Sequence, residues 1–270
     1  MVEDVNSGEF GISDGVLDKD STSRRLRTSR LEPGSHLDGV VSHYWILRWD
    51  LPHGERHTVS LLGRLGCSFV WTDAEALLYG VQIGRFTYEL RGRGRITGAK
   101  LTPAGIRAFT DVEACELTDR TFDAARFLVV DQSLVADLRS ASDGDATRRL
   151  DTLLAGQALR DDRRIRTANE TVRTIEAHPQ VTRVSEIAGL TGMSIRSLQK
   201  LTRAYVGAGT KWIIERLRVI GAVRALETDP AVDLARLALR LGYYDQAHLT
   251  AAFRAATGTT PHSYRSGGRG

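Results

Sequence analysis

Residues Leu234–Arg265 read LARLALRLGYYDQAHLTAAFRAATGTTPHSYR. Leu234, Leu237, Ala238 and Leu241 fall at i, i+3, i+4 and i+7, the apolar stripe of a short helix that buries one face. Gly242 follows the stripe, where a helix that ends in a tight turn needs a residue tolerant of positive φ. Asp245 suits an N-cap, because its carboxylate accepts from the free N–H groups of a new helix. That helix would bury Leu249 and Phe253 and leave Gln246, Thr250 and Arg254 outside. Helix, Gly turn, and a second helix with a polar face make a helix-turn-helix, which sends its second helix into the DNA major groove.

The pattern occurs twice. Ile187, Ala188 and Thr191 precede Gly192, and Ser194 caps a helix that buries Leu198 and Leu201. Ala188 to Gly192 has the spacing of Ala238 to Gly242, whereas the step from Gly to the first buried Leu differs by one residue. This is a degenerate internal repeat. Between the copies, Ile213, Leu217, Ile220, Ala222 and Leu226 recur at helical spacing, so Thr210–Leu226 reads as a linking helix ended by Asp229-Pro230. Upstream, Ile165, Ala168, Val172 and Ile175 make an amphipathic helix stopped by His178-Pro179.

The run from Gly242 through Phe253, Gly258 and Pro261 to Tyr264-Arg265, with the second motif at the right separation, resembles the signature of AraC/XylS-type transcription regulators. The resemblance covers roughly residues 166–266. It implies two helix-turn-helix motifs on one linking helix, double-stranded DNA as partner, and RNA polymerase as a further one.

Charge divides the chain the same way. Residues 163–270 hold 17 Lys/Arg against 8 Asp/Glu, and the remainder holds 20 against 25. A basic module joined to an acidic one fits a polyanion binder with a soluble partner domain. Cys67 and Cys115 lack any CxxC or Cys/His spacing, which argues against a zinc or disulfide framework and favours small core residues over redox sensors. His53 and His57 sit beside Pro52 and Gly54, which breaks the helix a paired-imidazole site needs; no metal, cofactor or catalytic residue is assigned. No apolar run is long enough to span a bilayer and the N-terminus lacks a signal-peptide h-region, so a cytoplasmic, non-membrane protein is expected.

The expected fold is α+β in two domains. Residues 1–30 read as a disordered polar tail, with Arg24, Arg25 and Arg27 on a solvated arm. Residues 31–157 read as a β-rich sensing or dimerisation domain, a small barrel or sandwich plus helices. Residues 158–165 are a linker, and 166–270 form the all-α domain. In the β-rich part, Val59–Leu62, Cys67–Trp71, Leu77–Ile83 and Phe86–Leu90 read as strands. Arg91–Gly94 reads as a hairpin loop before Ile96–Leu101. Ser133–Leu154 predicts one or two helices, and dimerisation through them is the expectation for a homodimer. Val41-x-x-Tyr44-Trp45 and the Gly98–Gly105 element resemble those of the front domain in a subset of AraC-type regulators, although Thr58–Gly66 lacks the acidic turn with Pro usual there. Trp45, Trp71 and Tyr88 are the candidates to line a pocket for a small-molecule effector.

For DNA, Arg196, Gln199 and Lys200 on the first recognition helix are assigned to base edges, since Arg matches guanine and Gln matches adenine bidentately. Gln246 and Thr250 are assigned the same role on the second, where Ala251 replaces the long polar side chain frequent in the family. Ser194, Arg203, Lys211, His248 and Arg254 are assigned to the backbone. Two other readings remain open: a DNA-repair enzyme docked by an AraC-like module, which would need a reactive Cys, and an interaction scaffold that no longer binds DNA.

Overall fold

The computed structural model describes residues 26–129 and 133–266. Its first half is an antiparallel β structure in two layers. Strands β1 (Leu26–Leu31), β2 (Val41–Asp50), β4 (Ser68–Trp71), β5 (Ala76–Tyr79), β7 (Arg93–Leu101) and β8 (Thr121–Asp123) form a sheet in the order β1-β2-β7-β4-β5-β8. Strands β3 (Arg56–Leu62) and β6 (Arg85–Arg91) pair with each other, Arg56 opposite Arg91 and Leu62 opposite Arg85, as a second sheet. Leu26, Leu51, Val59 and Leu90 pack together between the layers.

Side-chain alternation gives the large sheet two different faces. Tyr44 and Ile46 on β2, Phe69 and Trp71 on β4, and Leu78 on β5 point to the main core. That core is closed by Leu134 and Leu138 of α2 (Ser133–Ser140) and Leu150 and Leu154 of α3 (Asp143–Ala155). A short helix α1 (Ala114–Leu117) adds Ala114 and Leu117. Trp45 and Leu47 on β2 and Val70 and Thr72 around β4 face the β3–β6 layer instead. Trp45 lies opposite Gly98 of β7, and a Cβ at Gly98 would sit 2.2 Å from the indole, so glycine is what lets the ring lie down on β7.

Three expectations change. Leu26–Arg30, expected in the tail, belong to a strand, because the alternating LRTSRL segment pairs along β2 from Leu26–Trp49 to Leu31–Tyr44. Arg27 is therefore on a strand, and Arg24 and Arg25 lie outside the described residues together with the rest of the tail. Arg91–Gly94 is not a hairpin loop: β6 pairs with β3, whereas β7 pairs with β2 and β4. The chain turns a corner there between two sheets, at Gly92 with φ 53°. Finally, the helix expected after residue 165 starts inside the proposed linker, at Arg163, where the Asp162 carboxylate caps the N–H of Arg164.

The second half is helical: α4 (Arg163–Ala177), α5 (Val184–Thr191), α6 (Ile195–Leu201), a π turn at Thr202–Val206, α7 (Thr210–Thr228), α8 (Leu234–Arg240), α9 (Gln246–Thr257) and α10 (Pro261–Arg265). α7 serves both motifs. Its Ile213 and Ile214 join the core of α4, α5 and α6, and its Val219, Ile220, Ala222, Val223 and Leu226 join that of α8 and α9. Two β-domain segments enter these cores, Leu65, Ala104 and Ala108 the first and Leu62 the second.

Candidate nucleic-acid interface

The two motifs are built by the same local chemistry. In the first, Gly192 takes φ 65°, and the N–H of Met193 reaches back to the Ala188 carbonyl at 3.0 Å. In the second, Gly242 takes φ 72°, and the N–H of Tyr243 reaches back to the Ala238 carbonyl at 2.9 Å. Both are Schellman-type ends that satisfy carbonyls a helix would otherwise leave unpaired. The next helix then starts at a capped residue. The Ser194 hydroxyl accepts from the Ser197 N–H at 3.1 Å, and the Asp245 carboxylate accepts from the His248 N–H at 2.7 Å. The one-residue difference between the copies falls in the turn, where Tyr244 is extra and 87% exposed.

On α6, Leu198 is fully buried and Arg196, Gln199, Lys200 and Arg203 are exposed. Their spacing places them on the side away from the core. Ser194 is exposed with its hydroxyl occupied by the cap and by Ser197 Oγ at 2.9 Å. α6 stops as an α-helix at Leu201 and the chain continues as the π turn, whose Thr202 Oγ1 meets Thr210 Oγ1 of α7 at 2.9 Å.

On α9, Leu249 and Phe253 are buried, Gln246 and Arg254 are exposed and Thr250 is half-buried. These three line an open groove with Ala247, Ala251 and Thr260, so the missing long side chain at Ala251 leaves a concave floor. His248 is exposed and sets its ring edge-on to Tyr243 at 5.2 Å. Lys211 projects from the first turn of α7, 3.8 Å from Glu215.

Inspection of side-chain types missed what fixes the second motif. Arg218 of α7 is buried; its Nε donates to the Leu241 carbonyl at 2.6 Å and its guanidinium lies 3.8 Å from the Tyr243 ring centre. Arg216, also buried, stacks on Trp212 at 4.9 Å and donates to the Ile83 carbonyl of the β domain. Burial lowers the pKa of both, which marks them as desolvated cations. The signal was present: apolar residues surround α7 on nearly every side, so arginines within it had to be buried.

The proposed pocket residues separate. Trp45 and Tyr88 line a cavity between the two sheets, together with Tyr79. Trp71 does not; it is on the opposite face of β4, packed 6.2 Å from Phe69 in the main core. Cys67 is buried and Cys115 half-buried, both as thiols. Among the described residues no cluster of His, Cys, Asp and Glu could hold a metal, and no helix is long and apolar enough to cross a membrane.

Comparison with known proteins agrees with this division. Residues 187–267 match a helix-turn-helix domain family, and residues 29–123 match a domain of unknown function, DUF6597. No curated protein matches the chain. Among solved structures, similarity is found to a transcriptional regulator with an AraC-type DNA-binding domain from Chromobacterium violaceum (24% identity, 38% of this chain and 93% of that one, TM-score 0.35). The DNA-binding domain of AdpA in complex with a target DNA is similar at 27% identity, over 37% of this chain and 90% of that one, with TM-score 0.34. ToxT from Vibrio cholerae is similar along 91% of this chain and all of its own, at 11% identity and TM-score 0.44. With its capped and glycine-ended motif repeated on one shared helix, and with the family match over 187–267, this part of the chain is a helix-turn-helix domain of the AraC type.

Proposed function

We propose that the chain is a one-component regulator that reads two successive major grooves of double-stranded DNA with α6 and α9, and senses a small molecule with its β domain. The observation that carries the DNA reading is the seating of two recognition helices in the two cores shared by α7, each with an exposed polar face. The 19 residues of α7, at about 1.5 Å each, span roughly 28 Å, close to one duplex turn of ~34 Å. Arg196, Gln199 and Lys200 read bases on one side and Gln246 and Thr250 on the other; Ser194, Arg203, Lys211, His248 and Arg254 hold phosphates. The alanine floor of the α9 groove suits a thymine methyl better than a hydrogen-bonded base edge.

Binding of duplexes selected from random DNA, followed by fluorescence anisotropy at several salt concentrations, tests these roles. Arg196→Ala is expected to cost about 1–3 kcal/mol on the selected site and to relax base choice there. Arg254→Ala should weaken binding to all sequences and lower the salt slope by about one. Equal loss on selected and random DNA for Arg196→Ala would remove it from the base readers.

Support for sensing comes from the cavity bounded by Trp45, Tyr79 and Tyr88. Dimerisation through α2 and α3 and engagement of RNA polymerase complete the reading by family resemblance. Light scattering that gives a monomer mass at micromolar concentration would dismiss the dimer.

A further inference from the structure

The cavity between the six-stranded sheet and the β3–β6 layer has a volume of about 260 Å³, room for about nine waters at ~30 Å³ each, or an organic molecule of about a dozen non-hydrogen atoms. Most of its wall is apolar and aromatic, with Leu47, Val59, Phe86 and Ile96 beside the tryptophan and tyrosines. Among the described residues its charged lining is of one sign: Arg30, Arg64 and Lys100 take part, and no Asp or Glu does.

Lys100 is the distinctive group. It sits on β7, level with His43 of β2 and Ser68 of β4, so it rises from the middle of the sheet that forms the cavity floor. Its Nζ donates to the Gly66 carbonyl at 2.5 Å, one acceptor for an ammonium with three donors. The residue is half-buried, and Arg64 is near enough to add repulsion. Among the described residues no carboxylate forms an ion pair with it. A partly desolvated cation without a counter-charge is costly, and an anion delivered by a ligand would remove that cost.

We infer that this cavity binds a small organic monoanion, an apolar chain or ring bearing a carboxylate, with the carboxylate on Lys100 Nζ and the apolar body against Trp45, Phe86 and Tyr88. The inference rests on the sensing role proposed for the β domain and names the chemical class sensed. The walls select for apolar surface, and Lys100 selects for charge.

Titration calorimetry of the full chain with octanoate, and with 1-octanol as its neutral counterpart of equal length, tests both parts. Octanoate should bind at least tenfold tighter than 1-octanol. In Lys100→Met, checked for folding by circular dichroism, the two should bind within about twofold of each other, and Lys100→Arg should restore the preference. If 1-octanol binds as well as octanoate, or if Lys100→Met keeps the preference, charge recognition by Lys100 is overturned while the cavity remains a sensing pocket. Failure of both probes to bind overturns the inference and the sensing role together; DNA binding by the same protein would stand apart from that result.

Discussion

At the scale of single residues, the β domain keeps a charge where a hydrocarbon would be more comfortable. Burial holds Lys100 down to about 8, against an ordinary 10.5. Between those pH values the unfolded chain carries the proton and the folded chain has lost it. The unfolded state thus binds more protons there, and stability rises with pH across the window. Below about pH 8 the full penalty applies, on the order of 3 kcal/mol. Lys100→Met should therefore be more stable than the natural chain at pH 7, by up to about that amount. The advantage should shrink as pH rises from 8 toward 10.5. Urea denaturation at each pH checks this, with both proteins carrying Cys67→Ala, because Lys100 and the Cys67 thiol act on each other's titration. A constant difference at all pH values would mean that packing, not charge, separates them.

At the scale of elements, the repeat makes its own control. Gly192 and Gly242 hold the same left-handed conformation in the same turn, yet their surroundings differ. A Cβ on Gly192 meets nothing within 4 Å, whereas one on Gly242 would lie 2.7 Å from the backbone oxygen of Gln180, in the loop that leads into the first motif. Gly192→Ala should cost the conformational strain alone, about 1–2 kcal/mol. Gly242→Ala should cost a further ~1–3 kcal/mol, because backbone must move. Denaturation midpoints of the two variants decide it, and equal losses would mean that the loop at Gln180 yields freely. The helices were legible in sequence because caps, apolar stripe and glycine all act within a few residues of one another. The β layer was less so. Arg91–Gly94 has every local mark of a hairpin, and only the pairing of β6 with β3, some thirty residues upstream, shows that it joins two sheets. Trp71 was misplaced for a related reason: an aromatic strand residue has two faces to choose from, and the choice depends on what covers each.

At the scale of the whole molecule, the two halves are joined by buried polar contacts that no local pattern announces. Asn169 of α4 accepts from the Ala104 N–H at 2.9 Å and donates to the Gly39 carbonyl at 2.8 Å and to Thr102 Oγ1 at 3.1 Å. It thereby fastens the Gly98–Gly105 element to the DNA-binding half. Asn169→Ala should cost about 1–3 kcal/mol for each buried group left unpaired. It should also speed proteolysis between residues 155 and 163, read by timed digestion; an unchanged digestion rate would show that the other contacts suffice. Arg216→Leu takes the donor from the Ile83 carbonyl and should cost about 1–3 kcal/mol in urea denaturation; no loss would mean that relief of the desolvated cation offsets it. The same covering layer reaches further. Leu62 closes the cavity from β3 and at the same time sits 3% exposed among Val219, Leu226, Leu249 and Phe253. It is a plug lent by one half to the other. A fragment cut to begin at Arg163 would carry its socket empty, so its second wedge would be softer than in the intact protein, and affinities taken from such a fragment would understate what the whole chain can grip.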